Sequence, residues 1–383
     1  MKKIPEKLFF CSYGFYLLVN ILNASFYSKF IGPYLKIAMI ICVLILIYAE
    51  ILNGKIKKRE MILLLSCMIL FGILFFHLNG IAMFPLLFYI YSARNIEFRK
   101  ITKFTMIESS ILLLFVIVSA KLGIITNYKV VQVLFGVTRT RTYLGFRYAL
   151  FPQMILFNIT LCYMYSYKDE LVFFKCLILI LLNYLMFKFT DSRLSCYMSI
   201  FLIIILYLVS KGYLNLKNKK FLCYILILSF PLFSILSIAI TISYNPSNKT
   251  MVELNEVLGG RLRLGKNSLN EYSVKLFGND TKYIGAGLDA NGKRLVGVYN
   301  YVDCMYINIL EKYGIVFNVI LFAYLTFIMY SIWKNEDYVL FIVLVGIAFH
   351  GIIDDLAIYL YYNVFWLIIG SYYYSLKKNK YSI

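Results

Sequence analysis

The sequence predicts an all-α integral membrane protein of about twelve transmembrane helices with one long extracytoplasmic loop. Three observations predict it. Of 383 residues, 61% are hydrophobic and 15% charged, against about 45–50% and about 25% in a soluble domain. Apolar runs near the length that crosses a bilayer, about 20 residues, recur along most of the chain. The connections between them alternate between rich and poor in Lys and Arg, as the positive-inside rule requires. Disorder, a disulfide-rich secreted module and a cytosolic enzyme are excluded.

Twelve runs qualify: 8–27, 34–52, 61–78, 79–92, 104–126, 148–166, 171–189, 194–210, 221–243, 313–333, 338–353 and 357–375. The fourth is short. The first is followed by further spans and no small-residue cleavage site, so it is not a cleaved signal. With both termini cytoplasmic, the inner connections carry 20 Lys and Arg and the short outer ones 7. This orients the chain. Residues 1–243 form a membrane part with spans one to nine. Residues 244–300, polar and rich in Gly, Asn, Lys and Arg, form the long outer loop. Residues 301–383 carry spans ten to twelve. Loops of this length in compact proteins are uncommon and often functional.

The formal net charge of +20 would suit nucleic acid, but the basic residues lie between apolar runs and no nucleic-acid partner is expected. The eight Cys, at 11, 42, 67, 162, 176, 196, 223 and 304, sit in apolar or aromatic surroundings without paired spacing. They read as small buried hydrophobes. The chain lacks GxxxxGK[ST], HExxH, CxxC and any outer carboxylate cluster dense enough for a metal. No cofactor and no metal are expected, although Asp354 and Asp355 could in principle hold one ion.

Arginine runs against the positive-inside bias. Of ten Arg, only Arg59, Arg94 and Arg99 face inward. Arg139, Arg141, Arg147, Arg193, Arg261, Arg263 and Arg294 face outward. The planar guanidinium fork grips phosphate with two prongs, so the outward set points to a polyanion at the membrane surface, of which a lipid-linked pyrophosphate is the obvious candidate. The alternative is pairing with lipid headgroups or with Glu253, Glu256 and Glu271. Arg193 in TDSRLS and Arg147 in TYLGFRYALFP lie where a span meets a tight break, near the surface, where lower dielectric strengthens ion pairing.

The two His, His77 and His350, fall at outer span ends. His350 precedes Asp354 by four residues, which on a helix puts both on one face. A neighbouring carboxylate suits a general base, and near-membrane ionisable groups are functional candidates; the alternative is a capping pair. His77 has no acidic neighbour and reads as structural. In 301–317, Tyr301, Met305, Ile309 and Tyr313 recur at helical spacing behind Asp303. This reads as an amphipathic or re-entrant surface helix, or as the first turns of the tenth span.

Four stretches together resemble the bacterial Wzy-type polysaccharide polymerases of the O-antigen ligase and polymerase group. They are TYLGFRYALFP, TDSRLS, GGRLRLG with the later YIGAGLD, and VDCMYINILEKYGI. The resemblance covers residues 140–360. The chain departs from the pattern at Asp303-Cys304, where Asn commonly follows Asp, and at Phe151-Pro152-Gln153, where Pro-Asn is common. The resemblance implies a metal-independent, C-type glycosyltransferase-like membrane enzyme, an oligosaccharide repeat-unit polymerase acting on undecaprenyl-pyrophosphate-linked glycans. It implies that Arg193 and Arg261 clamp the donor pyrophosphate beside Arg147, that His350, oriented by Asp354, takes the acceptor proton, and that Arg139, Arg141, Arg263, Asp303 and Tyr313 help bind substrate. Implied partners are both lipid-linked glycans, membrane lipid, a flippase and a chain-length regulator, at the bacterial cytoplasmic membrane. A ligase of the same group has closely similar chemistry. A lipid-linked oligosaccharide flippase or other transporter fits twelve spans, but transporters usually show paired halves and no repeat is visible.

Overall fold

A computed structural model describes residues 3–54, 58–75, 84–134 and 137–379. Every one of the twelve apolar runs contains helix. The described elements are α1 (Lys3–Ala24), α2 (Ser28–Ile31), α3 (Leu35–Asn53), α4 (Lys58–Phe75), α5 (Phe84–Ala93) and α6 (Phe98–Lys121), then strands β1 (Lys129–Leu134) and β2 (Val137–Thr142). There follow α7 (Leu150–Ser166), α8 (Phe173–Thr190), α9 (Arg193–Ser210), α10 (Lys220–Ile227), α11 (Ser229–Ser243), α12 (Lys249–Val257), α13 (Arg261–Tyr272), α14 (Met305–Lys334), α15 (Tyr338–His350) and α16 (Ile368–Asn379).

Six described helical segments are long and apolar enough to cross a bilayer, and a seventh arises if α10 and α11, bent by 61°, count as one span. The protein is a helical membrane protein; among the described residues, four further apolar helices are shorter than a full crossing. The fourth run supplies only ten described helical residues, Phe84–Ala93, and its first residues, with the end of the third run, lie outside the described residues. The twelfth run is broken into 3-10 turns at Leu356–Ile358 and Val364–Leu367 before α16. Its sequence explains the break: Asn363 caps the second turn by accepting from Phe365 N at 3.2 Å, a local bond that competes with a continuous helix.

Helices α7 and α15 form the centre. In α7, 14 of 17 residues are buried, and α15 is buried almost all round. A helix apolar on every side belongs in the interior of a bundle. Some polar groups of α7 bond to α8: Gln153 donates to Asn183 at 3.0 Å, and Asn183 donates to Thr160 at 2.9 Å. Around this pair pack α6, α8, α9, α11 and α14. The outer faces of α3 and α8 expose Ile37, Ile40, Leu44, Leu177 and Leu181, as lipid contact requires.

Two departures from the expected all-α, surface-helix picture matter for the site. First, residues 129–142 form an antiparallel hairpin, with Gln132 opposite Arg139 and Val130 opposite Arg141. Its second strand, Thr-Arg-Thr-Arg-Thr, alternates with the two-residue period of a strand. Second, the 301–317 stretch is not a surface helix. Residues 305–314 are all buried, and α14 breaks at Gly314 (φ 83°, ψ 177°). There the returning loop crosses the helix backbone at Gly278 (φ 90°). A Cβ at Gly278 would lie 2.2 Å from Lys312 O, and one at Gly314 would lie 2.4 Å from Gly278 N. Both positions need positive φ and no side chain.

Gly278→Ala or Gly314→Ala should therefore destabilise the protein by about 2 kcal/mol or more, seen as a lowered unfolding temperature in detergent. An unchanged transition in both variants would contradict the crossing.

Candidate active site

The long loop 244–300 folds over one end of the bundle. The turn Gly259-Gly260 opens α13 and puts Arg261 at its first position. The loop after α13 is tied down at Glu311, whose carboxylate accepts from Ser268 Oγ at 2.7 Å and from Tyr283 OH, and whose carbonyl accepts from Asn279 N at 2.8 Å. Farther along, Leu288 N donates to Arg147 O at 2.8 Å, and Met305 N donates to Gly351 O at 2.8 Å. These bonds bring the YIGAGLD stretch, Asp303 and the turn after α15 around one space.

That space is a cavity of 280 Å³, near the lower end of pockets that hold small ligands, about 300–1,000 Å³. Arg147, Arg261, Asp303, Asp354, Asp355, six tyrosines, Phe151 and the Gly285–Leu288 backbone line it. The tyrosines are Tyr148, Tyr283, Tyr299, Tyr301, Tyr359 and Tyr361. Arg261 Nε donates to Asp303 O at 3.2 Å and Nη1 to Leu258 O at 2.7 Å, while Nη2 lies 3.9 Å from Asp303 Oδ2. Its position is set, but its charge is only loosely paired. Arg147 Nε is buried with no hydrogen-bond partner among the described residues. Arg147 follows a tight turn at Leu144-Gly145, where a Cβ on Gly145 would come within 2.9 Å of Ala120 and Ile125.

The carboxylates are held away from their ordinary state. Asp355 accepts from Tyr301 OH at 2.6 Å and Asn308 Nδ2 at 3.2 Å. Asp354 Oδ1 accepts from Leu356 N at 2.7 Å, and its Oδ2 takes no hydrogen bond among the described residues. Burial, then the neighbouring carboxylate, pushes Asp354 up to about 8. Burial, then Asp303, pushes Asp355 up to about 7. Asp303 is raised by burial and pulled back by Arg261. Burial thus favours the protonated form of both carboxyls relative to an exposed aspartate.

A second group of arginines lies beside the cavity. Asp191, the left-handed C-cap of α8, faces Arg193 Nε at 3.1 Å, Arg141 Nε at 3.8 Å and Arg139 Nε at 3.9 Å. Arg139 and Arg141 share one face of β2, two residues apart. Three guanidinium groups thus share one carboxylate, and the buried Nε atoms of Arg139 and Arg141 have no hydrogen-bond partner among the described residues. Tyr148 joins the two groups, interacting electrostatically with Arg141, Arg261 and Asp303.

The opposite end of the bundle contrasts with this. There Arg94 meets Glu50 at 2.6 Å and Glu60 at 3.1 Å, Arg99 meets Asp169, Lys100 meets Glu6, and Lys168 meets Asp337. These pairs are close, whereas around Asp191 three guanidinium groups share a single carboxylate.

The sequence-singled residues divide accordingly. Arg147, Arg261, Asp303 and Asp354 line the cavity; Arg139, Arg141 and Arg193 form the neighbouring cluster. Arg193 is therefore grouped with the hairpin rather than paired with Arg261. Arg263 is exposed, its backbone N–H donating to Asn255 Oδ1. Tyr313 is buried against Phe317, with ring centroids 5.0 Å apart, and does not line the cavity. His350 and Asp354 make no side-chain bond: Asp354 N donates to His350 O at 3.1 Å, but Asp354 lines the cavity and His350 does not. His350 stacks on Phe157 at 4.8 Å, its Nε2 lies 3.5 Å from Ser195 Oγ, and it lines a separate closed space. His77 lies outside the described residues. Sequence reasoning missed Asp191 as the hub, although it sits two residues before Arg193. It also missed the tyrosines, whose signals were the clusters VYNY and YLYY within apolar surroundings. Among the described residues, no three His, Cys, Asp or Glu converge to hold a metal ion.

No family model matches the chain, and no curated protein or solved structure is significantly similar to it.

Asp191→Asn should leave three adjacent guanidinium groups without a counter-charge. The variant should lose about 1–3 kcal/mol at low salt and recover when inorganic pyrophosphate is added. Equal unfolding temperatures with and without pyrophosphate would remove the anion-site reading of this cluster.

Proposed function

We propose that the chain is a membrane glycosyltransferase that polymerises undecaprenyl-pyrophosphate-linked oligosaccharide repeat units into a surface polysaccharide, at the outer face of a bacterial cytoplasmic membrane. One observation carries the proposal: an aromatic-walled cavity at the end of a membrane bundle combines loosely paired arginines with a buried pair of adjacent carboxylates. A lipid-linked sugar pyrophosphate has matching parts. Its diphosphate suits guanidinium forks, its sugar faces suit tyrosine rings, and its lipid suits the bundle.

In this reading Arg147 and Arg261 hold the donor pyrophosphate. The acceptor sugar hydroxyl attacks the anomeric carbon of the donor glycan, and the carbon–oxygen bond to the pyrophosphate breaks. The electron pair leaves with the polyprenyl pyrophosphate, where fixed guanidinium groups stabilise the developing charge. The hydroxyl proton passes to the Asp354–Asp355 pair, whose raised basicity suits a general base near neutral pH. His350, enclosed elsewhere, is not assigned this step. The Asp191 cluster provides a second phosphate-binding position, as a reaction between two lipid-linked pyrophosphates requires. This favours a polymerase over a transporter, and a ligase remains the chemically closest alternative.

Deletion in the native host should leave single repeats on lipid or on the cell surface and no long polysaccharide on gels. Arg147→Ala or Arg261→Ala should fail to restore it, with transfer rates lowered by about 10²–10³ and normal protein in the membrane. Full-length ladders from both variants would refute the clamp. The base assignment predicts a rate that rises with pH up to about 7–8 and then levels, because the active form is the carboxylate. Asp354→Asn should abolish that rise, whereas His350→Ala should retain it; the reverse result would return the base role to His350.

A further inference from the structure

A second space in the bundle has the opposite chemistry. It is a narrow crevice of 50 Å³ between α4, α5, α14 and the broken twelfth run, bounded by Leu63, Leu87, Leu321, Ile358 and Trp366 among others. The polar atoms on its walls are engaged elsewhere. Ser66 Oγ donates to Ile62 O at 2.9 Å, Tyr324 OH pairs with Tyr373 OH at 2.6 Å, and Trp366 Nε1 donates to Ala357 O at 2.7 Å. Among the described lining side chains only the Cys67 thiol, a weak donor, is left. Water gains nothing in such a space, and a sugar or phosphate would lose its hydrogen bonds there. A short stretch of hydrocarbon chain matches it in chemistry.

The crevice also shares its wall with the cavity. On the 3-10 turn Leu356–Ile358, Leu356 borders the cavity and Ile358 borders the crevice. On α14, Asn308 bonds the cavity carboxylate of Asp355, while the next residue, Ile309, lines the crevice. A polar, arginine-bearing space and a wholly apolar one thus meet across one turn of chain. We propose that this crevice binds the isoprenoid chain of the lipid carrier whose phosphates enter the cavity. The proposal deepens the function proposed above and rests on it for the identity of the headgroup.

The test uses the full-length protein in detergent with two probes of equal headgroup: undecaprenyl phosphate and geranyl phosphate, which has a very short chain. Leu321→Trp and Ser66→Trp fill the crevice from opposite walls at partly exposed positions. Ile69→Trp, on the same helix as Ser66 but 55% exposed and outside the crevice, is the control. Both filling variants should lose about tenfold in affinity for undecaprenyl phosphate and bind geranyl phosphate as the unmodified protein does. Ile69→Trp should change neither. If one filling variant does not fold, the other carries the comparison. Unchanged undecaprenyl phosphate affinity in a folded filling variant overturns the proposal. So does the same result with less co-purified phosphatidylglycerol by mass spectrometry, which would make the crevice a bulk-lipid site. These readouts need no polysaccharide synthesis. Normal polysaccharide after gene deletion, together with chain-length-selective binding, would refute the polymerase and leave the crevice assignment standing.

Discussion

The site depends on an electrostatic imbalance at one end of the bundle. Three guanidinium groups share Asp191, and Arg147 and Arg261 are weakly compensated. In a partly desolvated setting such charges interact more strongly than in water, so an excess of them is costly unless an anion completes it. At the opposite end the buried Arg94 is closely paired with Glu50 and Glu60, and Lys168 with Asp337. The buried arginines of the two ends therefore differ in how tightly each is paired.

The fold maintains this arrangement by breaking regular structure. The left-handed cap at Asp191, the turn at Leu144-Gly145, the helix break at Gly314 and the interrupted twelfth run are such breaks. The first places Asp191 among the arginines, the second precedes Arg147, and the third lets the loop cross at Gly278. Backbone freed in this way is tolerated only where protein or a cavity satisfies it. Here Glu311, Asn300 and Arg147 O supply the partners.

Much of this was legible in the chain. The apolar runs marked the helices because periodicity and hydropathy are local properties. The placement of Arg between the apolar runs marked five residues that gather in the cavity and around Asp191, while Arg263 stands apart. Other features were not legible. The alternation of Thr138 to Thr142 signals a strand, but a short polar strand between spans is easily read as loop. The His350–Asp354 spacing implies a shared helical face, yet the helix ends at His350, and Asp354 lines the cavity while His350 does not. Tyr313 follows the helical spacing but packs on Phe317. Spacing arguments assume that the helix continues, and at functional ends it does not.

The sequence by itself determined that the protein is helical, that it lives in a membrane, and which arginines lie outside the apolar runs. These follow from the cost of placing charge in hydrocarbon, which each segment bears independently. Only the tertiary structure decided that Arg261 meets Asp303 and lines one cavity with Arg147, that Arg193 meets the hairpin at Asp191, and that an apolar crevice adjoins the polar cavity. Those juxtapositions arise from loops folding across distant helices, and contacts between residues far apart in sequence leave no local pattern from which to read them.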